Sequence, residues 1–277
     1  MTNKTYSLEL FPPRSDKAAE ALRAERAELA TLNPAFFSVT FGAGGTTRDG
    51  TFETISETMQ QTGLPAAPHI SCIDSTRDGI RALLQRYREA GINRLVTLRG
   101  DVIEGQTATG ELSYANELVQ LIREEHGDHF HIEVAAYPEA HPESTDPDVD
   151  LDNFQRKVEA GADSAITQYF FNVDAYDDFV GRARARGIDI PIVPGIMPIT
   201  NFVQLNRFSG ICGAEIPLWI RKRLEAHQDD LDYIREFGVE VVTRLCQQLL
   251  DRDVPGLHFY TLNRAEPTQT IWRQLGL

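Results

Sequence analysis

The feature that most constrains the fold of this chain is a regular alternation of short apolar runs with longer amphipathic runs. The short runs are rich in Val, Ile and Phe, and each is followed by a stretch with helical periodicity. This order predicts parallel strands joined by crossover helices, because parallel strands need a long connection between them. The predicted strands are residues 6–11, 36–41, 66–72, 94–99, 131–137, 164–170, 190–196 and 257–262.

The helical stretches complete the pattern of a (β/α)₈ (TIM) barrel. They are predicted at residues 16–31, 47–62, 76–90, 112–125, 148–160, 175–186, 201–209, 217–250 and 266–274. The stretch at 217–250 adds extra helical residues before the last strand. The 277 residues are close to the roughly 250 of a typical barrel, and no Pro-, Gly- or Ser-rich linker divides them. We therefore expect residues 1–277 to form a single catalytic barrel domain.

An open, doubly wound sheet is the alternative fold. Such a sheet usually begins with a glycine-rich dinucleotide fingerprint after its first strand. Here the glycine-rich segment, residues 42–47, follows the second strand and lacks the G-x-G-x-x-G spacing.

Charge and composition exclude several classes of protein. The net charge is −14, from 41 acidic and 27 basic residues, which argues against a nucleic-acid binder. No apolar run reaches the ~20 residues of a membrane helix, and the first residues lack a signal-peptide pattern, so we expect a cytoplasmic protein. Cys72, Cys212 and Cys246 fit no metal or redox spacing. His126, His129 and His131 lie before or at the start of the fifth strand, on the face opposite the expected site and without an acidic ligand pattern, and we expect no metal site.

Polar residues collect at the carboxyl ends of the predicted strands. In a (β/α)₈ barrel these ends surround the active-site mouth. The residues are Glu9, Thr40, His69, Asp101, Tyr137, His141, Gln168, Asn263 and Arg264.

Each of these residues also has a purely structural interpretation. Glu9 lies in an apolar strand, where a charge is costly unless paired, so it is either a buried salt-bridge partner or a proton donor. His69 is either a hydrogen-bonded core histidine or a site residue. Arg99 and Gly100 lead into Asp101, which suits either close backbone approach to a ligand or a loop ion pair.

The helix after the fifth strand offers a similar choice. Its Arg156 and Lys157 follow Asp150 and Asn153 by one or two turns. This spacing is compatible with a solvated helix face or with binding of a phosphorylated cofactor.

Ordered motifs along nearly the whole chain resemble the methylenetetrahydrofolate reductase family, of the bacterial kind that has only a catalytic domain. They are ELFPPR at 9–14, SVTFGA at 38–43, APH at 67–69, LRGD at 98–101, AYPEAHP at 136–142, KVEAGA at 157–162, ITQYFF at 166–171, PGIMP at 194–198 and YTLNRAE at 260–266. The family fold is a (β/α)₈ barrel.

The resemblance implies a flavoprotein oxidoreductase of one-carbon metabolism and methionine biosynthesis. FAD, held without a covalent bond, would be reduced by NAD(P)H and would then reduce 5,10-methylenetetrahydrofolate to 5-methyltetrahydrofolate, with ping-pong kinetics. Glu9 would be the general acid that opens the folate ring, and Asp101 would lie near flavin and pterin. The resemblance implies no S-adenosylmethionine-binding regulatory domain. It also implies a homo-oligomer, and we expect neither nucleic-acid nor membrane partners.

Further positions match the family residue by residue. The substrate-binding positions are Asp101, Gln168, Gln204, Phe208 and Arg264. The cofactor-binding positions are Thr40, Ala43, His69, Arg99, Gly100, Asp101, Tyr114, Ala115, Tyr137, His141, Asp150, Asn153, Arg156 and Lys157.

Two other functions are compatible with parts of this pattern. A flavin-dependent barrel dehydrogenase for another substrate, such as proline, would need neither Glu9 nor Gln168. A folate- or flavin-binding protein without catalysis would keep Gln168 and could lose Glu9 and Asp101. All three residues are present, which favours the reductase.

Overall fold

The computed structural model describes residues 4–41, 48–73, 75–100 and 110–277. These residues contain nine short parallel strands and ten helices, which alternate along most of the chain. The strands are β1 (Thr5–Leu10), β2 (Phe36–Val39), β3 (Ala66–Ser71), β4 (Arg94–Leu98), β5 (His131–Ala136), β6 (Ser164–Thr167), β7 (Ile192–Val193), β8 (Gly195–Ile196) and β9 (Gly256–Tyr260). The helices are α1 (Asp16–Ala30), α2 (Arg48–Thr62), α3 (Arg77–Glu89), α4 (Ala115–His126), α5 (Pro147–Glu159), α6 (Val173–Ala185), α7 (Phe202–Cys212), α8 (Leu218–Ala226), α9 (Leu231–Asp251) and α10 (Ala265–Leu275).

The strands form a nearly closed barrel. Their order is β7-β6-β5-β4-β3-β2-β1-β9-β8, and every pairing is parallel. Since β1 pairs with both β2 and β9, the first and last strands of the chain are neighbours. This arrangement confirms the predicted (β/α)₈ barrel.

The seventh strand was predicted as one continuous strand at residues 190–196, but in the structure it is divided into β7 and β8. Pro194 separates them; its nitrogen carries no hydrogen and cannot donate to a ladder. Its carbonyl oxygen still accepts from the backbone nitrogen of His258 at 3.0 Å. Consequently β7 pairs with β6, whereas β8 pairs with β9.

The extra helical residues before the last strand are confirmed, but they form two helices, α8 and α9, where one stretch was predicted. The chain leaves α8 at Ala226 and re-enters a helix at Leu231. Asp230 caps the second helix, since its side chain accepts from the backbone nitrogen of Tyr233 at 3.0 Å. An aspartate before an apolar helical run is a recognised start signal, so the sequence contained this boundary.

The barrel interior is packed below its mouth. Phe36, Ala67, Val96 and Ile166 form a buried cluster inside the barrel, and Leu98 and Tyr260 pack against it. At the amino ends of the strands, Glu133 is buried against Arg94, whose guanidinium also lies over the Phe36 ring. This packing leaves the carboxyl ends of the strands as the open side of the barrel. No helix among the described residues is long and apolar enough to cross a membrane.

Candidate active site

A cavity of about 410 Å³ opens at the carboxyl ends of β4 and β5, beside the first turns of α4 and α5. This volume is within the range of small-molecule sites. The lining residues are Thr97, Leu98, Arg99, Gly100, Tyr114, Ala115, Asn116, Ala135, Tyr137, His141, Glu143, Ser144, Thr145, Val149, Asp150, Asn153 and Lys157.

Helix α5 supplies three polar side chains to this cavity. Asp146 caps the helix and Pro147 occupies its first turn, which sets where the helix starts. Asp150, Asn153 and Lys157 then follow at spacings of three and four residues, which place them on one helix face. Of the four residues of this helix that the sequence analysis named, these three line the cavity, whereas Arg156 does not.

Lys157 is the cation at the base of that face. Its Nζ atom donates to the backbone oxygen of Ala135 at 2.5 Å. Burial lowers the pKa of Lys157 to about 8, although the nearby Asp150 carboxylate acts in the opposite direction. Lys157 is therefore mostly protonated at pH 7 and loses its charge at mildly alkaline pH.

The loop between β5 and α5 is held by its own polar contacts. The His141 backbone nitrogen donates to Asp150 Oδ2 at 3.3 Å, and the Glu143 nitrogen donates to His141 Nδ1 at 3.1 Å. The His141 ring packs edge-on against Tyr137, with centroids 4.6 Å apart. Burial lowers the pKa of His141, which keeps the ring neutral near pH 7. Glu143 extends from this loop to Arg99, with 2.7 Å between Glu143 Oε2 and Arg99 Nη1.

Gly100 forms the turn at the end of β4. Its φ of +92° lies in the left-handed region, and a Cβ there would come within 2.1 Å of Ser71 Oγ. Ser71 Oγ donates to the Arg99 oxygen at 2.8 Å, which holds the turn against β3. Only glycine fits this position without displacing its neighbours.

Glu9 lies between two buried histidines. Its Oε2 atom is 3.4 Å from His69 Nε2 and 3.7 Å from His258 Nε2. His258 is oriented by its other ring nitrogen, because Nδ1 is 2.7 Å from Ser7 Oγ. Burial lowers the pKa of His69 to about 4, an effect that Glu9 opposes and His258 reinforces. His69 is therefore neutral at pH 7, and the contact with Glu9 is not a salt bridge at that pH.

Gln168 follows β6 directly and is half-buried at the barrel mouth. Its Oε1 atom accepts from the Tyr169 nitrogen at 3.0 Å. Gln204 is exposed and Phe208 is half-buried on α7, whereas Arg264 is exposed immediately before α10. The four predicted substrate positions that the structure describes thus follow three different strands, β6, β8 and β9, as the barrel arrangement requires.

Nine of the predicted cofactor positions line the cavity. They are Arg99, Gly100, Tyr114, Ala115, Tyr137, His141, Asp150, Asn153 and Lys157. Thr40, His69 and Arg156 are not part of its lining; Arg156 instead donates to Asn153 Oδ1 at 2.7 Å. Ala43 and Asp101 lie outside the described residues.

Sequence reasoning missed several residues of this region. Thr97, Asn116 and Glu143 line the cavity, and Ser7 and His258 contact the Glu9 cluster. His258 could have been found from the strand alternation, because it points to the same face as Tyr260, two residues later. Thr97 and Asn116 are uncharged, and no comparable pattern in the sequence marks them as lining residues.

Comparison with known proteins gives a consistent identification. The family model described as "Methylenetetrahydrofolate reductase" matches residues 1–276. The chain is 42% identical over 271 residues to a 5,10-methylenetetrahydrofolate reductase of Pectobacterium carotovorum subsp. carotovorum, covering 98% of this chain and 90% of the relative. It is 41% identical over the same length and coverage to that of Escherichia coli (strain K12).

A solved structure agrees in fold. A Clostridium thermocellum protein, described as uncharacterized and as binding two copies of 5-methyl-5,6,7,8-tetrahydrofolic acid, aligns with a TM-score of 0.70 at 17% identity. The alignment covers 99% of this chain and 94% of that one. With the match of the family model over residues 1–276 and relatives of about 41% identity, the chain belongs to the methylenetetrahydrofolate reductase family.

Proposed function

We propose that this protein reduces 5,10-methylenetetrahydrofolate to 5-methyltetrahydrofolate, with bound FAD as cofactor and NAD(P)H as electron donor. The observation that carries the proposal is the position of Glu9, a carboxyl group at the barrel mouth beside two buried histidines. The reaction needs a proton donor at a substrate nitrogen and a separate hydride donor, and Glu9 supplies the first of these.

The cavity residues fit the chemistry of FAD. Lys157 offers a cation for a phosphate group, and the first turn of α4 at Ala115 carries the positive end of the helix dipole. The Asp150 carboxylate can accept hydrogen bonds from ribose hydroxyl groups. Leu98 and Tyr137 offer apolar and aromatic surface for a flat ring.

When bound, FAD would take up a hydride from NAD(P)H and, in its reduced form, would supply it to the substrate carbon. Glu9 donates its proton to a nitrogen of the five-membered ring of the folate while the adjacent carbon–nitrogen bond breaks, which leaves an iminium carbon ready to accept hydride. His69 is neutral at pH 7, and we assign the role of proton donor to Glu9. Gln168 binds the pterin and nicotinamide rings through its amide, while Gln204, Phe208 and Arg264 contact the substrates. The role of Asp101 near the flavin stays a prediction, because this residue lies outside the described part of the chain.

The proposal includes ping-pong kinetics, since NAD(P)H and the folate would enter the same barrel mouth in turn. It also includes a cytoplasmic location and a homo-oligomer. The electron donor is NADH or NADPH, and separate additions of the two to the purified protein distinguish them.

Visible absorbance of the purified protein tests the proposal. We expect a yellow protein that releases FAD on denaturation; a colourless preparation is first supplied with FAD, because a non-covalent cofactor can be lost. Under anaerobic conditions NADH or NADPH, added separately, should bleach the flavin band, and methylenetetrahydrofolate should restore it. Release of FMN alone contradicts the cofactor assignment, and bleaching without restoration by the folate contradicts the substrate assignment.

A further inference from the structure

The part of the barrel wall that carries Gln168 has few backbone hydrogen bonds to a neighbouring strand on one side. Gln168 follows β6, whose neighbour β7 has only two residues before Pro194 interrupts the strand. Strand β8 continues the wall but pairs with β9 and not with β6. The end of β6 therefore needs support from other groups.

Tyr260 provides that support from β9. Its hydroxyl group donates to the backbone oxygen of Thr167 at 2.7 Å, so the side chain crosses from β9 to β6. Gly195, at the start of β8, donates its backbone N–H to Thr167 Oγ1 at 2.9 Å. Thr167, the last residue of β6, is thus bonded to both β8 and β9.

The absence of a side chain at Gly195 makes room for this crossing. A Cβ there would come within 2.1 Å of the Thr167 oxygen and within 2.9 Å of the Tyr260 hydroxyl oxygen. The phenol of Tyr260 and the carbonyl of Thr167 occupy the space that a larger residue would fill. Burial also raises the pKa of Tyr260 well above its usual value, so the hydroxyl group stays protonated and able to donate.

The peptide unit between Thr167 and Gln168 is held at both of its polar ends. Its oxygen accepts from Tyr260, and its nitrogen, which belongs to Gln168, donates to the Ala136 oxygen at 2.8 Å. Because a peptide unit is planar, fixing the oxygen and the N–H group fixes the orientation of the whole plane. This plane fixes the bond from the Gln168 nitrogen to its Cα atom, and thereby the point from which the Gln168 side chain leaves the backbone.

We infer that Tyr260 is a positioning residue for substrate binding, acting through the Thr167–Gln168 peptide unit to orient Gln168. The inference rests on the proposed function, in which Gln168 binds the substrate rings. Tyr260 needs no contact with the folate for this role. Its hydroxyl group determines how well Gln168 is placed, and therefore how tightly the folate is held.

Tyr260→Phe tests the inference, because it removes only the hydroxyl group. Tyr176→Phe is a matched control: the Tyr176 hydroxyl group also donates to a backbone oxygen, that of Ile192, at 2.7 Å, but from α6 outside the barrel. Each variant loses one buried hydrogen bond, so both melting temperatures should fall by about 2–4 °C. With FAD-loaded enzyme, Tyr260→Phe should raise the KM for methylenetetrahydrofolate by about threefold to tenfold and change kcat less. Tyr176→Phe should leave both constants unchanged.

The double variant with Gln168→Ala separates this inference from the proposed function. Gln168→Ala alone should raise the KM for the folate, and adding Tyr260→Phe should then raise it by less than about twofold, because the two changes act through one group. If Gln168→Ala leaves the KM unchanged, the proposed role of Gln168 is wrong, and the inference falls with it. If Gln168→Ala raises the KM but Tyr260→Phe has no effect, or has its full effect in the double variant, Tyr260 does not act through Gln168. An equal rise of the KM in Tyr176→Phe also overturns the inference, since the effect would then be a general loss of stability.

Discussion

The Nε2 atom of His69 lies 3.4 Å from the Oε2 atom of Glu9, across the barrel mouth from β3 to β1. The sequence motif around His69 suggested a cofactor-binding position, but in the structure this histidine contacts the proposed general acid and is not part of the cavity lining. Because burial keeps His69 neutral at pH 7, the side chain that faces Glu9 from β3 is polar but uncharged.

The role of Glu9 predicts different effects on the two halves of the reaction. In Glu9→Gln the side chain is nearly isosteric, so FAD binding and flavin reduction by NAD(P)H should stay close to those of the wild type. Reoxidation of the flavin by methylenetetrahydrofolate should slow by about 10²–10⁴-fold, because general acid catalysis is lost. Anaerobic stopped-flow absorbance measures both steps. Equal slowing of the two steps would show that Glu9 has a structural role only.

Burial of His69 predicts a pH-dependent contribution to stability. Its pKa is about 4 in the folded protein and about 6.5 when unfolded, so between these values the unfolded chain binds the additional proton. The contribution should be complete above about pH 6.5 and should decrease by roughly 3 kcal/mol as the pH falls to 4. The charged or titratable groups that face His69 are Glu9 and His258, of which Glu9 reduces the effect.

Urea unfolding of the wild type and of His69→Gln at pH 7, 6 and 5 tests this prediction. Other groups titrate equally in both proteins, so the difference between their free energies of unfolding isolates His69. The wild type should lose stability faster than the variant as the pH falls. A difference that is independent of pH would mean that His69 has the same pKa in the folded and the unfolded protein, so that burial does not lower it.

The turn at Gly100 predicts a loss of cofactor binding when a methyl group is added. Gly100→Ala combines a left-handed φ of +92° with a Cβ only 2.1 Å from Ser71 Oγ, so the end of β4 must shift. Gly91→Ala is the control, since Gly91 has a φ of +76° but nothing within 4 Å of the added Cβ. Both variants should lose about 1–2 kcal/mol of stability from backbone strain. Only Gly100→Ala should also purify with less FAD, which the absorbance ratio of flavin to protein measures; equal FAD content in the two variants would contradict the prediction.

Much of the fold could be predicted from the sequence because periodicity is a local property. The alternation of apolar and amphipathic runs predicted the strands, and parallel strands place their carboxyl ends at one edge, which brought Glu9 and Gln168 to the same mouth. Pro194 is visible in the sequence, but its consequence is not. Whether a proline bends a strand or divides it between two neighbours depends on the closure of the barrel.

The side-chain contacts of the site could not be predicted in the same way. The sequence places His69 and His258 at inward-facing strand positions, but only the curvature of the barrel brings both within 4 Å of Glu9. The crossing of Tyr260 to Thr167 likewise depends on the space left by Gly195. Such contacts join residues far apart in sequence, and no local pattern encodes them.

The lowered pKa of Lys157 predicts that FAD binding weakens at alkaline pH. The ammonium group is protonated below about pH 8 and neutral above it, so its attraction for a phosphate group should be lost as the pH rises from 7 to 9. A bound anion favours the protonated form, which places the midpoint of this change somewhat above pH 8. The dissociation constant of FAD, measured by fluorescence quenching on the apoprotein, should increase by up to about tenfold from pH 7 to 9, because the free ammonium group loses its proton mainly over the upper half of this range. Lys157→Met should bind FAD weakly at pH 7 with little further change up to pH 9.

Lys222→Met, in which an exposed lysine of α8 paired with Glu225 is removed, should behave like the wild type. If Lys157→Met keeps the affinity and the pH dependence of the wild type, Lys157 does not bind the cofactor phosphate.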